Sequence, residues 1–168
     1  MLEPTPQGEA LFQDLLWVHS LVRHDLDVVR RLAGEVGQGL PARELQAELR
    51  ALETSGPLWH LRVNCLQYCR FVHHHHRLED LALFPAVRRQ NPELDTVVDR
   101  LQADHRRVAE ILEEIGRAAP SLESRDGPQA REDVTAALDA LGRHLLAHLD
   151  FEEESLGPAL RAWSDHQP

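Results

Sequence analysis

The sequence has no lysine. All 18 of its basic residues are arginine, set against 28 acidic ones, for a formal net charge of −10. That balance leaves little basic surface for nucleic acid or an anionic membrane, so neither is an expected partner. Aromatic residues make up only 5%, and Tyr68 is the single tyrosine. Cysteine is scarce too: Cys65 and Cys69 stand four apart on one expected helix, a poor geometry for a disulfide, and are expected to be reduced. A zinc site built on them, with His73 as the nearest further donor, would need more Cys or His at finger-like spacing. No apolar run approaches the roughly 20 residues of a membrane span. The start, Met1-Leu2-Glu3-Pro4, lacks a basic and then apolar signal, which predicts a cytoplasmic protein. Strand-like alternation is missing, and so are a Gly-rich phosphate loop and a Ser-His-Asp arrangement.

Histidine, by contrast, is abundant: 11 in 168 residues, four of them consecutive at His73–His76 with Glu79 and Asp80 just beyond. A purification scar would be terminal and longer. This run is internal, flanked by apolar residues in helical register, and reads as native.

Periodicity at about 100° per residue predicts four long amphipathic helices. Thr5 and Pro6 suit a cap and first position. Leu11, Phe12, Leu15, Val18, Val22, Leu26 and Val29 then share one face, with His19 at its edge and His24 turned outward. Residues 42–53 form a short connecting helix. The second long helix runs from about Leu58 to Arg89, kinked or ended early by Pro85. Its apolar face carries Leu58, Leu61, Cys65, Tyr68, Cys69, Val72 and Leu83, with His76 and Glu79 on that face, His75 and Asp80 flanking it, His73 peripheral and His74 outward. A third helix follows Asn91-Pro92, with Leu94, Val97, Val98, Leu101, Val108, Leu112 and Ile115 around His105. A polar loop spans 116–129. The fourth helix, about 130–157, turns Val134, Ala137, Leu138, Leu141, Leu145, His148, Glu152 and Leu156 inward with His144 close by. The fold class expected is all-α: an up-down four-helix bundle, one domain over 1–168 with its core at about 6–157 and a short tail.

The chain repeats itself. A shift of 73 residues aligns His75 with His148, Glu79 with Glu152, Asp80 with Glu153, Leu83 with Leu156 and Pro85 with Pro158. His19 and His105 likewise match, with their apolar neighbours in step. Each helix pair therefore offers one His from its first helix and His-x-x-x-Glu from its second. Residues at i and i+4 stack on one helix face, so each pair can reach a common centre. Six unpaired polar side chains in a core would each cost several kcal/mol. A buried His–Glu ion-pair network would answer part of that cost; a metal centre answers it all. Four His and two carboxylates exceed one tetrahedral zinc and suit two octahedral ions, iron or manganese.

These residues resemble the hemerythrin-like (HHE cation-binding) domain over nearly the whole chain. They are His19 in Val-His-Ser-Leu-Val-Arg, His75-His76-Arg77-Leu78-Glu79-Asp80 with Leu83-Phe84-Pro85, Asp104-His105, and His148-Leu149-x-x-Glu152-Glu153 with Pro158. The resemblance implies a four-helix bundle holding two iron ions (Fe2+/Fe3+), bridged by two carboxylates and an oxo or hydroxo group. His19, His75, His105 and His148 would be terminal ligands, with Glu79 and Glu152 as bridges. Oxygen-carrying members have a second histidine where this chain has Ala109, which implies an open position or a substitute. His76, His144 and Tyr68 are inward candidates for it, and His76/Asp80 is an alternative to His75/Glu79. By resemblance to bacterial members, the small ligands would be O2, hydrogen peroxide or nitric oxide, with peroxide or nitric oxide detoxification as the function. A non-catalytic sensor or carrier, or iron binding alone, is the alternative, in a monomer or homodimer.

Overall fold

A computed structural model describes residues 3–37, 57–123 and 127–164. The expected connecting helix at 42–53 and His166 lie outside them, as do the side chains of His60 and Cys65. The described residues form five α-helices: α1 (Pro6–Gly37), α2 (Pro57–Leu78), α3 (Phe84–Gln90), α4 (Asp95–Ala118) and α5 (Gly127–Arg161). A π-helical turn, Glu79–Leu83, joins α2 to α3, and short 3-10 turns sit at Pro92–Leu94 and Ala119–Glu123. The α2–π–α3 run is one continuous span, so four long helical spans make the bundle, and no strand occurs among the described residues. None of the described helices is long and apolar enough to cross a membrane.

α1 begins where the sequence places it. The Thr5 hydroxyl accepts the Gly8 N–H at 2.9 Å, satisfying one of the orphan donors of a helix start. Thr5 also fastens this end to the other terminus: its N–H donates to the Arg161 carbonyl at 2.8 Å, and its hydroxyl to that of Trp163. Gly8 is required there, because a Cβ would collide with the Arg161 carbonyl.

α1 and α4 each pack against both α2 and α5. Two dry layers result. One gathers Val22, Leu26, Val72, Val108, Ile111, Leu112, Leu141 and Leu145; the other gathers Phe12, Leu15, Phe84, Val87, Val98, Leu101, Leu156 and Leu160. The inward histidines fall between them: His19 lies between Leu15 and Val22, His105 between Leu101 and Val108.

The second span departs from a plain α-helix. Pro85 has no N–H to give and its ring crowds the carbonyl one turn back; a wider π turn directly before it accommodates both. The extra residue rotates everything after it by roughly one residue's angle, about 100°. Leu83, expected inward, is therefore only half-buried, while Phe84 is fully buried. At the corresponding Pro158, α5 instead continues as α-helix to Arg161, past the expected end at Gly157. Asn91 makes no side-chain cap, and regular helix resumes only at Asp95.

Candidate metal centre

Five histidines and two glutamates are buried in the layer between the two apolar clusters: His19, His75, His76, His105, His148, Glu79 and Glu152. Each comes from a helical span whose neighbours one turn away are core residues, so packing turns them inward. Glu79 sits at the middle. Its Oε1 lies 3.1 Å from His75 Nε2 and 3.8 Å from His19 Nε2, while its Oε2 lies 3.3 Å from His105 Nε2. One carboxylate thus faces two histidine groups at once. Glu152 Oε2 does the same from α5, 3.5 Å from His19 Nε2 and 3.7 Å from His148 Nε2.

Two sets of donor atoms close enough for a common ion follow: His19, His75 and Glu79, and His76, Glu79, His105 and His148. His76 stacks on His105 with ring centroids 3.9 Å apart and shares with it a cavity that Ala109 also lines. The two sets are unequal, with two histidines in the first and three in the second.

The outer nitrogens are held by carboxylates. His19 Nδ1 donates to Glu153 at 2.8 Å, and His105 Nδ1 donates to Asp80 at 2.9 Å. Such a bond fixes the tautomer and aims Nε2 inward. Arg23 in turn clamps Glu153 at 2.7 Å and Asp150 at 2.8 Å. Asp104 lies 3.7 Å from His148 Nδ1, beyond hydrogen-bond reach. The repeat had already paired Asp80 with Glu153; what it could not show is that each carboxylate serves a histidine on a different helix.

Burial pushes every member of this layer toward neutrality. It lowers His75 to about 3 and His148 to about 4, with neighbouring histidines adding to the shift in both. It lowers His76, with His105 and His148 adding. Burial also lowers His19 against the pull of Glu153. For Glu79 it acts upward, reinforced by the facing Glu152 and by Asp80, and it raises Glu152 likewise. Among the described residues, Nε2 of His19, His75 and His76, Nδ1 of His148, and all four oxygens of Glu79 and Glu152 are buried without a hydrogen-bond partner. Native cores rarely leave such atoms unsatisfied. A cation set satisfies both sides together, since it keeps imidazoles neutral and carboxylates ionised. The donor set therefore fits metal.

Other expected candidates lie elsewhere. His144 is exposed, not inward: it stands at the edge of the α5 stripe, and Leu141, Leu145 and His148 fill the face. His73 is exposed as well. Tyr68 is buried, but its hydroxyl donates to the Val22 carbonyl at 3.2 Å, a link between α2 and α1. Asp80 points to His105, so it is not partnered with His76. Cys69 is buried and donates to the Leu112 carbonyl at 3.7 Å.

No curated protein and no solved structure matches the chain. Residues 40–160 match the family model of the hemerythrin HHE cation binding domain. His19 precedes that stretch, and its place in the layer rests on the geometry above. With most of the sequence matched and every member of the cluster except His19 inside the matched stretch, the chain belongs to the hemerythrin HHE cation-binding domain family.

Proposed function

We propose that this protein is a non-haem di-iron protein, in one up-down bundle domain, that reacts with O2, hydrogen peroxide or nitric oxide. The carrying observation is Glu79, whose two oxygens face separate histidine groups while no hydrogen bond satisfies either. The up-down order is supported by cross-helix contacts that run in opposite directions, such as His19–Glu153 with Arg30–Asp139. In this reading Glu79 and Glu152 would be shared by two ions. His19 and His75 would hold one, and His76, His105 and His148 the other, with His76 offering a nitrogen where Ala109 has none. Mixed imidazole and carboxylate donors favour iron or manganese over soft-ligand metals.

Bound iron supplies ferrous–ferric cycling and a coordination position for a small ligand. The chain does the rest. Asp80 and Glu153 hold the histidine rings in one tautomer, Arg23 neutralises Glu153, and the two apolar layers pack above and below the centre along the bundle. The two-histidine position has fewer protein donors, so it is where an exogenous ligand meets least competition.

Metal analysis of anaerobically purified protein is expected to find iron; one tight zinc and no iron would overturn the proposal. Stopped-flow spectra with each oxidant divide the activities. Repeated turnover of peroxide marks an enzyme, and a stable, reversible spectral change without turnover marks a carrier or sensor.

A further inference from the structure

The two-histidine side of the layer opens onto a cavity of about 460 Å³ between α1, the π turn and the C-terminal end of α5. Its floor is His75 and Glu79, and its walls are mainly Leu15, Leu83, Leu160 and Trp163. Among the described lining residues only Asp14 and Glu79 are acidic, and none is an arginine. The volume lies within the roughly 300–1,000 Å³ of small-molecule sites. A water-sized guest takes only about 30 Å³, so a diatomic oxidant would leave most of it unfilled.

The opposite side differs. The cavity over His76 and His105, about 380 Å³, is lined by Arg77, Arg106, Asp80 and His73. One flank of the layer is therefore apolar and the other charged, although the same span supplies both. The difference traces to the π turn: its rotation carries Leu83 out to the half-buried wall of the apolar cavity, with Ala82 and Ala86 leaving the space open beside it.

We propose that the apolar cavity is a binding site for a neutral, hydrophobic organic molecule, one end of which abuts His75 and Glu79. The lining disfavours the obvious alternatives. An anion such as a fatty carboxylate would meet the Asp14 carboxylate and, among the described residues, no arginine to pair with. A hydrophilic molecule would lose its hydration against leucine walls without compensating bonds. The site deepens the di-iron reading only in what the molecule meets at the floor; the cavity itself is a property of the protein.

Trp163 is a built-in reporter. In the double variant Trp17→Phe, Trp59→Phe it is the last of the three tryptophans. Titration of metal-free and metal-loaded protein with trichloroethanol is expected to quench Trp163 saturably, while trichloroacetate, similar in size but anionic, quenches only in linear, collisional fashion. Ala86→Phe should fill the cavity and weaken trichloroethanol binding by roughly tenfold or more. Ala82→Phe, at an exposed position, serves the same purpose should Ala86→Phe fail to fold by circular dichroism. Linear quenching by both probes, equal saturable quenching by both, or saturation unchanged in the filled variants would overturn the site. A wild type that sediments as a dimer and becomes monomeric on filling would also overturn it, since the face would then join two copies of the chain. In loaded protein trichloroethanol should perturb the metal's visible spectrum; quenching without that perturbation overturns the placement against His75 and Glu79. Absence of iron leaves the metal-free titration intact, so the two proposals fail separately.

Discussion

Residues 75–85 and 148–158 carry the same motif, yet they fold differently. In the second copy the helix stays α through Pro158, and Leu156 and Leu160 are fully buried in regular register. In the first, the π turn resets the register, so that Phe84 takes the buried place aligned with Gly157 and stacks on His105 at 5.2 Å. Gly157 has no room for such a ring, since a Cβ there would already lie 3.2 Å from Phe12. The position of His76 is filled in the second copy by Leu149, also fully buried. One copy is thus the plain scaffold. The other has gained an extra donor, a ring that backs His105, and an apolar opening. The comparison teaches that a proline at a fixed place does not by itself dictate a π turn, since Pro158 stands inside a continuous α-helix.

Removing the carboxylates should give the largest effects. Glu79→Ala is expected to abolish metal binding, and Glu152→Ala to lose most of it, because Glu79 faces three histidines and Glu152 two. Wild-type metal content in either variant, by mass spectrometry of the metal, would exclude that residue as a bridge. His76→Leu makes the first copy resemble the second and should empty the His105/His148 position while the His19 position keeps its ion. Equal loss from both positions would sink the assignment of His76 to one set. Phe84→Ala should cost about 3–5 kcal/mol of stability by chemical denaturation, the usual toll of a large cavity. A cost below about 1 kcal/mol, ordinary for surface changes, would mean that the register shift contributes little to packing. Asp80→Asn and Glu153→Gln should each weaken metal affinity by about 10–100-fold. Unchanged affinity in a competition titration would show that these carboxylates do not orient the histidines.

The remaining prediction concerns pH in the metal-free protein. The buried histidines have folded-state pKa values below the unfolded 6.5, so the unfolded chain binds more protons and stability falls as pH drops below about 6.5. Glu79 and Glu152 shift upward; their contribution is present at low pH and fades as pH rises through their folded values. Five histidines against two glutamates make the acid limb steeper, with an optimum near pH 6.5. Melting temperatures by circular dichroism across pH 4–9 should trace it, and bound metal should erase the alkaline limb by ionising both glutamates. A monotonic rise to pH 9 in the metal-free form would contradict the raised carboxylates.

Much of this was legible in the sequence because it follows from local geometry. The 3.6-residue period placed His19, His105, His148 and Glu152 among core leucines and valines, and the 73-residue repeat singled out Glu79 from a crowded stretch. The start of α1 was written in Thr5-Pro6. His144 misled because it sits at the margin of its stripe, where a few degrees decide between core and solvent.

The sequence by itself therefore determined the helices, their inward stripes and the presence of a His/Glu layer, since period and burial act within one helix at a time. Only the tertiary structure decided how that layer is divided. His75 and His76 are about 100° apart on the helix, one flanking the apolar face and the other on it, and which group each joins depends on what α1 and α4 present opposite. It also decided that Asp80 serves His105, that Glu153 serves His19, and that one copy of the motif widens into a π turn. Each of these balances local backbone preference against contacts supplied by another helix.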